Sequence, residues 1–185
     1  MDPGAESYRR YLLGDKSGLE EIIGLYYDGL ILYLNLYVRN LAEAEELAEE
    51  TLFVLVSKKP AFSGKSSFKT WLYAIGRHTA IRYLHRRSRE VSVADMESES
   101  GRGQIQDAER TILIKERDRN LYRCLSRLKD DYRQVIWLRY YEQMSNKMIA
   151  AVMKKSVYSV EHLLKRAKDV LRTELEKEGF PYEES

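Results

Sequence analysis

Residues 62–89 read "FSGKSSFKTWLYAIGRHTAIRYLHRRSR". They hold Lys65, Lys69, Arg77, Arg82, Arg86, Arg87 and Arg89 and no carboxylate, in a chain whose formal charge is only +2. The opening "FSGKSS" has the Ser and Gly content of a loop, and a helix is expected to start near Ser66 or Ser67. Beyond it Phe68, Trp71, Leu72 and Ile75 recur at helical steps and form an inward stripe, while Lys69, Tyr73 and Arg77 climb another face. An ordinary surface helix mixes signs so that charges pair at these spacings. Cations interleaved with rings, and no acids, are what single-stranded nucleic acid requires: charge for phosphates and π-faces for unstacked bases. A solvated basic face is the plainer alternative.

Upstream the charge inverts. Ala44, Leu47, Ala48, Thr51, Leu52 and Leu55 predict a helix over 42–58, stopped by Pro60. Glu43, Glu45, Glu46, Glu49 and Glu50 crowd its first two turns with no base among them. A helix N-terminus favours carboxylates, but five exceed what capping uses, so this face suits either a basic partner or solvent. Two more helices precede it, over 5–13 and from a Ser17 cap with Glu20 at the capping-box position to about Val38.

Downstream, residues 90–109 carry Glu90, Asp95, Glu97, Glu99, Asp107 and Glu109 against Arg102 alone, with frequent Ser and Gly. Such a segment buries too little to offset its ordering entropy and reads as a flexible acidic linker holding the domain boundary. A second helical block follows, over 108–127, 130–142, 145–153 and 157–177, with Asp130, Ser145 and Ser156 as natural N-caps. Its short helix, break at "KKS" and longer helix make a candidate helix-turn-helix. The expected fold is therefore all-α: two small helical domains, 1–90 and 109–178, joined by a linker over 91–108.

Other chemistries are poorly supported. The Gly-Lys-Ser of "FSGKSS" lacks the first glycine and the preceding strand of a phosphate loop. His78, His85 and His162 have no carboxylates beside them to complete a metal set, and Cys124 by itself makes neither a disulfide framework nor a Cys-rich metal site. No catalytic residue, metal or cofactor is assigned. The longest apolar run, "GLILYLNLYV", is shorter than the roughly 20 residues of a membrane span, and the N-terminus lacks the order of a signal peptide. A cytoplasmic protein is expected.

In order, "AEELAEETL", "SSFKTWLYAIGR", an acidic linker and "RLKDDYRQVIWLRY" followed by a helix-turn-helix resemble the extracytoplasmic-function sigma factors of bacterial RNA polymerase, from about Leu19 to Leu175. The resemblance implies region-two-like and region-four-like domains and a transcription initiation role. By it, Glu43, Glu45, Glu46, Leu47, Glu49 and Glu50 would dock on core RNA polymerase. Ser63, Lys65, Ser66, Phe68, Lys69, Tyr73, Arg77 and His78 would take the melted strand at the minus-ten element, with Arg82, Arg86, Arg87 and Arg89 on phosphates. Trp71 is assigned to the core instead. Ser156, Ser159, His162 and Arg166 would face the minus-thirty-five duplex of promoter DNA, with Lys154, Lys155 and Lys165 on its backbone. An anti-sigma protein is the further partner implied, and no small-molecule substrate.

Departures from the family pattern gather in the last module. Lys154 and Tyr158 stand where glycines are common, Glu161 where a lysine is usual, and Leu163 where an arginine is frequent. In the first domain His78 replaces a usual asparagine and Arg82 a usual acid. Two rival readings follow: a helix-turn-helix regulator that never joins polymerase, and a degenerate sigma-like adaptor that binds protein.

Overall fold

The computed structural model describes residues 2–94 and 125–177. Among these residues every regular element is helical. They belong to two compact units, each described by itself. Cys124, most of the expected linker and most of the helix over 108–127 lie outside the described residues.

The first unit consists of α1 (Pro3–Leu12), α2 (Ser17–Val38), α3 (Leu41–Lys58) and α4 (Phe68–Ala94). Asp2 starts two of them. One carboxylate oxygen accepts from Ala5 N–H at 3.3 Å and caps α1; the other accepts from Phe68 N–H at 2.6 Å at the head of α4. Ser67 Oγ caps α4 as well, accepting from Thr70 N–H at 3.2 Å. Ser17 does not cap α2 as its sequence context suggests. It is the first helical residue, and Asp15 accepts from its N–H at 3.0 Å and its hydroxyl at 2.6 Å. The N–H groups of Leu19 and Glu20, which a Ser17 cap would serve, are taken by the Lys16 carbonyl, and the Ser17 hydroxyl is turned to Asp15. Asn40 then caps α3 by accepting from Glu43 N–H at 3.2 Å. At its far end α4 runs to Ala94, past the Glu90 at which the sequence reading begins the linker.

The core of this unit gathers Tyr8, Ile22, Tyr26, Leu52, Leu55, Phe68 and Leu72, with Phe62, Trp71 and Ile75 packed against it. Trp71 behaves as the stripe predicts: its ring lies 5.4 Å from those of Tyr8 and Phe68 and 5.2 Å from Phe62. Burying each such side chain contributes about 1.5–3 kcal/mol, so this aromatic knot fixes where α4 begins and which face it turns outward. Close crossing of α1 and α2 depends on Gly18, where a Cβ would overlap the Ser7 carbonyl oxygen.

The second unit begins, among the described residues, with a helical turn over 125–127, then α5 (Asp130–Ile136), α6 (Asn146–Met153) and α7 (Val157–Lys177). Past Ile136 the chain continues as one π-helical turn, Trp137–Tyr141. Val135, Leu138, Ile149, Val160, Leu164 and Ala167 are buried, and α5 packs on α7. Ser145 and Ser156 cap α6 and α7, accepting from Met148 N–H at 3.3 Å and Ser159 N–H at 3.1 Å. Asp130 is not a cap. It sits inside α5 and accepts from the buried Arg133 guanidinium at 2.6 Å, which neutralises a cation that burial would otherwise penalise. Without a glycine, the turn after α6 is made by Lys154 itself in the left-handed region, φ 53° and ψ 46°.

Candidate nucleic-acid interface

The loop ahead of α4 presents Ser63 and Lys65 to solvent, and Gly64 adopts φ +70° there. Ser66 is half-buried beside the cap. Along α4, His78, Arg82, His85, Arg86, Arg87 and Arg89 are exposed, and His78, Ile81, Arg82, His85, Arg86 and Arg89 line one open depression. Lys69 is half-buried with its ammonium 5.7 Å from the centre of the Tyr73 ring. Arg77 is half-buried too, and its Nε finds no acceptor among the described residues.

Two expected members of this face are elsewhere. Phe68 is fully buried in the aromatic knot, and Tyr73 is 1% exposed with its ring 5.1 Å from that of Tyr33. Helical periodicity could not settle Tyr73, because α4 is covered on two sides, by α2 and by α3. A helix wedged between two neighbours buries a wider arc than the single stripe of Phe68, Trp71, Leu72 and Ile75.

The charge segregation along the chain is cancelled in part by the fold. Arg87 Nη1 donates to both oxygens of Glu43, at 2.8 and 3.1 Å, and Arg82 donates to Glu50. So the acids missing from residues 62–89 come from the helix before it. Burial first, then the adjacent Glu43 carboxylate, pushes the Tyr83 phenol above its ordinary value at this junction.

On α3 the acidic residues divide into three kinds. Glu43 and Glu50 face α4; Glu46 and Glu49 are exposed, and Glu49 accepts weakly from the Tyr27 hydroxyl at 3.4 Å; Glu45 is half-buried. Leu47, expected among the docking residues, is 2% exposed and belongs to the interior. Sequence reasoning missed Phe53, 63% exposed, and Val56, which continue the line of Glu46 and Glu49 at helical steps. Their signal was available: they fall outside the periodic stripe that Leu47, Thr51, Leu52 and Leu55 define.

In the second unit α7 exposes Ser156, Ser159, His162, Lys165 and Arg166, as their shared side predicts. The two hydroxyls are already occupied with one another, Ser156 Oγ to Ser159 Oγ 2.8 Å, and Ser156 is committed to the cap. Lys155 is half-buried and pairs with Asp131 at 3.0 Å, while Lys154 and Glu161 are exposed. Tyr158, which sequence reasoning set aside as a departure, stands out at 70% exposed with its ring 4.3 Å from that of His162.

Residues 22–90 match the family described as Sigma-70 region 2, and residues 118–171 match Sigma-70, region 4. The ECF RNA polymerase sigma factor SigX of Bacillus subtilis is 29% identical over 166 residues, 85% of this chain and 86% of that protein. The chain belongs to the sigma-70 family, as an extracytoplasmic-function sigma factor. RNA polymerase sigma factor YlaC of Bacillus subtilis is 27% identical over 88% of this sigma factor and 94% of its own length. Escherichia coli ECF RNA polymerase sigma-E factor is 26% identical over 85% and 86%. Among solved structures, the sigma factor RpoE of Bartonella quintana, in complex with the anti-sigma factor NepR, superposes with a TM-score of 0.67 at 21% identity, covering 85% of this chain and 96% of that one. CnrH, in complex with the cytosolic domain of CnrY, gives 0.66 at 20% identity over 95% and 96%. The resemblance read from "AEELAEETL", "SSFKTWLYAIGR" and "RLKDDYRQVIWLRY" is borne out, as is the all-helical fold.

Proposed function

We propose that this sigma factor moors to core RNA polymerase through α3 and captures a melted promoter strand along α4, with α7 facing the duplex upstream. The observation that carries the reading is the corner of α3 and α4. There Glu46, Glu49, Phe53 and Val56 project from one helix, and His78, Arg86 and Arg89 from the next. An acidic face with an exposed aromatic suits a basic partner, where charge guides encounter and the buried ring supplies affinity. The cationic face suits phosphates, with the half-buried Arg77 behind it, whose Nε is buried and unpartnered among the described residues.

Arg82 and Arg87 reach a phosphate only by leaving Glu50 and Glu43. Exposed ion pairs of this kind are worth about 0–1 kcal/mol each, so a polyanion displaces them at small cost. Domains over 1–90 and 109–178 would divide the work between polymerase with melted DNA and upstream duplex. No helix among the described residues is long and apolar enough to cross a membrane, and the protein is proposed to act in the cytoplasm, as a binding factor without chemistry of its own. The sigma factor RpoE is solved in complex with the anti-sigma factor NepR, which supports an anti-sigma partner for this chain too.

Run-off transcription with core polymerase, on the promoter of the protein's own gene, tests the proposal. Arg77→Ala with Arg86→Ala is expected to lower open-complex formation by about tenfold or more while polymerase pull-down is kept, since two phosphate contacts are lost. Unchanged opening would move a protein-binding adaptor ahead. Failure to associate with polymerase at low salt would favour a free helix-turn-helix regulator.

A further inference from the structure

The first two turns of α7, Val157 to Leu164, contain no Lys or Arg. The commonest sequence-specific contact, a bidentate cation on guanine O6 and N7, is therefore absent from the part of the helix that enters a major groove. The polar groups there are also largely spent. Ser156 caps the helix, and its hydroxyl lies 2.8 Å from that of Ser159. Glu161 is an acceptor only, which suits the amino group of cytosine or adenine and is repelled by the phosphates on either side. What the helix does extend is an aromatic pair: Tyr158, 70% exposed, with the His162 ring 4.3 Å away at an interplanar angle of 63°. Edge-to-face packing against His162 restricts the Tyr158 ring, so its ordering cost is met before DNA arrives. Lys165, Arg166 and Lys168 follow on exposed positions of the next turns, cations placed for the flanking phosphates.

We propose that Tyr158, braced by His162, is the specificity-determining residue of the second unit and reads the C5-methyl group of a thymine in upstream duplex DNA. Thymine is the one base that offers a methyl group in the major groove, and Tyr158 is the more exposed of the two apolar side chains at this helix start, 70% against 41% for Val157, and the larger. Recognition then runs through ring-on-methyl contact rather than through donors. The phenol hydroxyl is dispensable and the ring is not. This inference rests on the proposal that α7 faces upstream duplex.

The test uses the full-length chain bound to core polymerase, selecting from DNA duplexes randomised across the upstream segment. The wild-type pool is expected to enrich thymine at one position; Tyr158→Phe retains that preference and Tyr158→Ala loses it. Replacing that thymine by deoxyuridine, which removes only the methyl, should weaken wild-type binding about fourfold, the value of burying one such group, and leave Tyr158→Ala unaffected. His162→Ala should lie between them. If Tyr158→Ala enriches the same bases as wild type, or deoxyuridine costs nothing, this inference is overturned while upstream binding by α7 stands. If the wild-type pool shows no upstream preference at all, both fall.

Discussion

At the junction of α3 and α4, Arg87 and Arg82 are held by Glu43 and Glu50, and Arg86 and Arg89 remain exposed beside them. At the start of α7 there is no cation for two turns, and a tyrosine and a histidine project outward edge to face instead. The first region is rich in charge and hides most of its aromatics; the second is poor in charge and displays them. Charge acts at a distance, tolerates imprecise geometry and is screened by salt. A ring contact is short-ranged and insensitive to salt, and it discriminates by shape. The contrast assigns affinity and strand capture to the first unit and base discrimination to the second.

Reversing the exposed acids, Glu46→Lys with Glu49→Lys, should have the largest effect on this division. Affinity for core polymerase is expected to fall about ten- to a hundredfold at low salt, because like charges then meet across the interface. The helical circular dichroism should be unchanged, since neither side chain is in the interior. Equal affinity for both proteins would remove α3 from the interface.

A smaller effect is expected from Glu43→Gln with Glu50→Gln. Freed from their partners, Arg82 and Arg87 should raise the chain's affinity for single-stranded DNA about three- to tenfold, with a steeper salt dependence. Fluorescence anisotropy over a salt series measures both. A lower or unchanged affinity would mean that these arginines hold α3 against α4 and do not serve DNA.

The smallest is a stability change in the second unit. Lys154→Gly relieves a left-handed residue, worth about 1 kcal/mol, and adds chain entropy to the unfolded state, which offsets part of that. A net gain of a few tenths of a kcal/mol up to about 1 is expected, seen as a rise of a few degrees in melting temperature. A loss would mean that the Lys154 side chain contributes more than its backbone costs.

Much of the fold was legible because local rules were obeyed. Ser67, Ser145 and Ser156 cap helices, Pro60 follows one, and Phe68, Trp71, Leu72 and Ile75 mark an inward stripe. Where two local candidates competed, reading failed. Asp15 took the N–H and hydroxyl of Ser17, and Asp130, itself the first helical residue, turned to the buried Arg133 guanidinium three residues on. The site was harder still. Tyr73 and Leu47 looked available because their burial depends on helices distant in sequence, whereas Phe53 could have been found, since it falls outside the buried stripe of its own helix.

What this amino-acid order settles alone is the helical alphabet, written in spacings of three and four residues, and the segregation of acid from base along the chain; the family entered through the resemblance of three motifs. Which charges remain free was decided only by tertiary packing. Glu43 and Arg87 stand far apart in the chain and lie within hydrogen-bond reach only once α3 and α4 are side by side, and Tyr158 and His162 present their rings outward only because Val160 and Leu164 face inward. Coulomb and contact energies depend on distance through space, and periodicity reports distance along one helix alone.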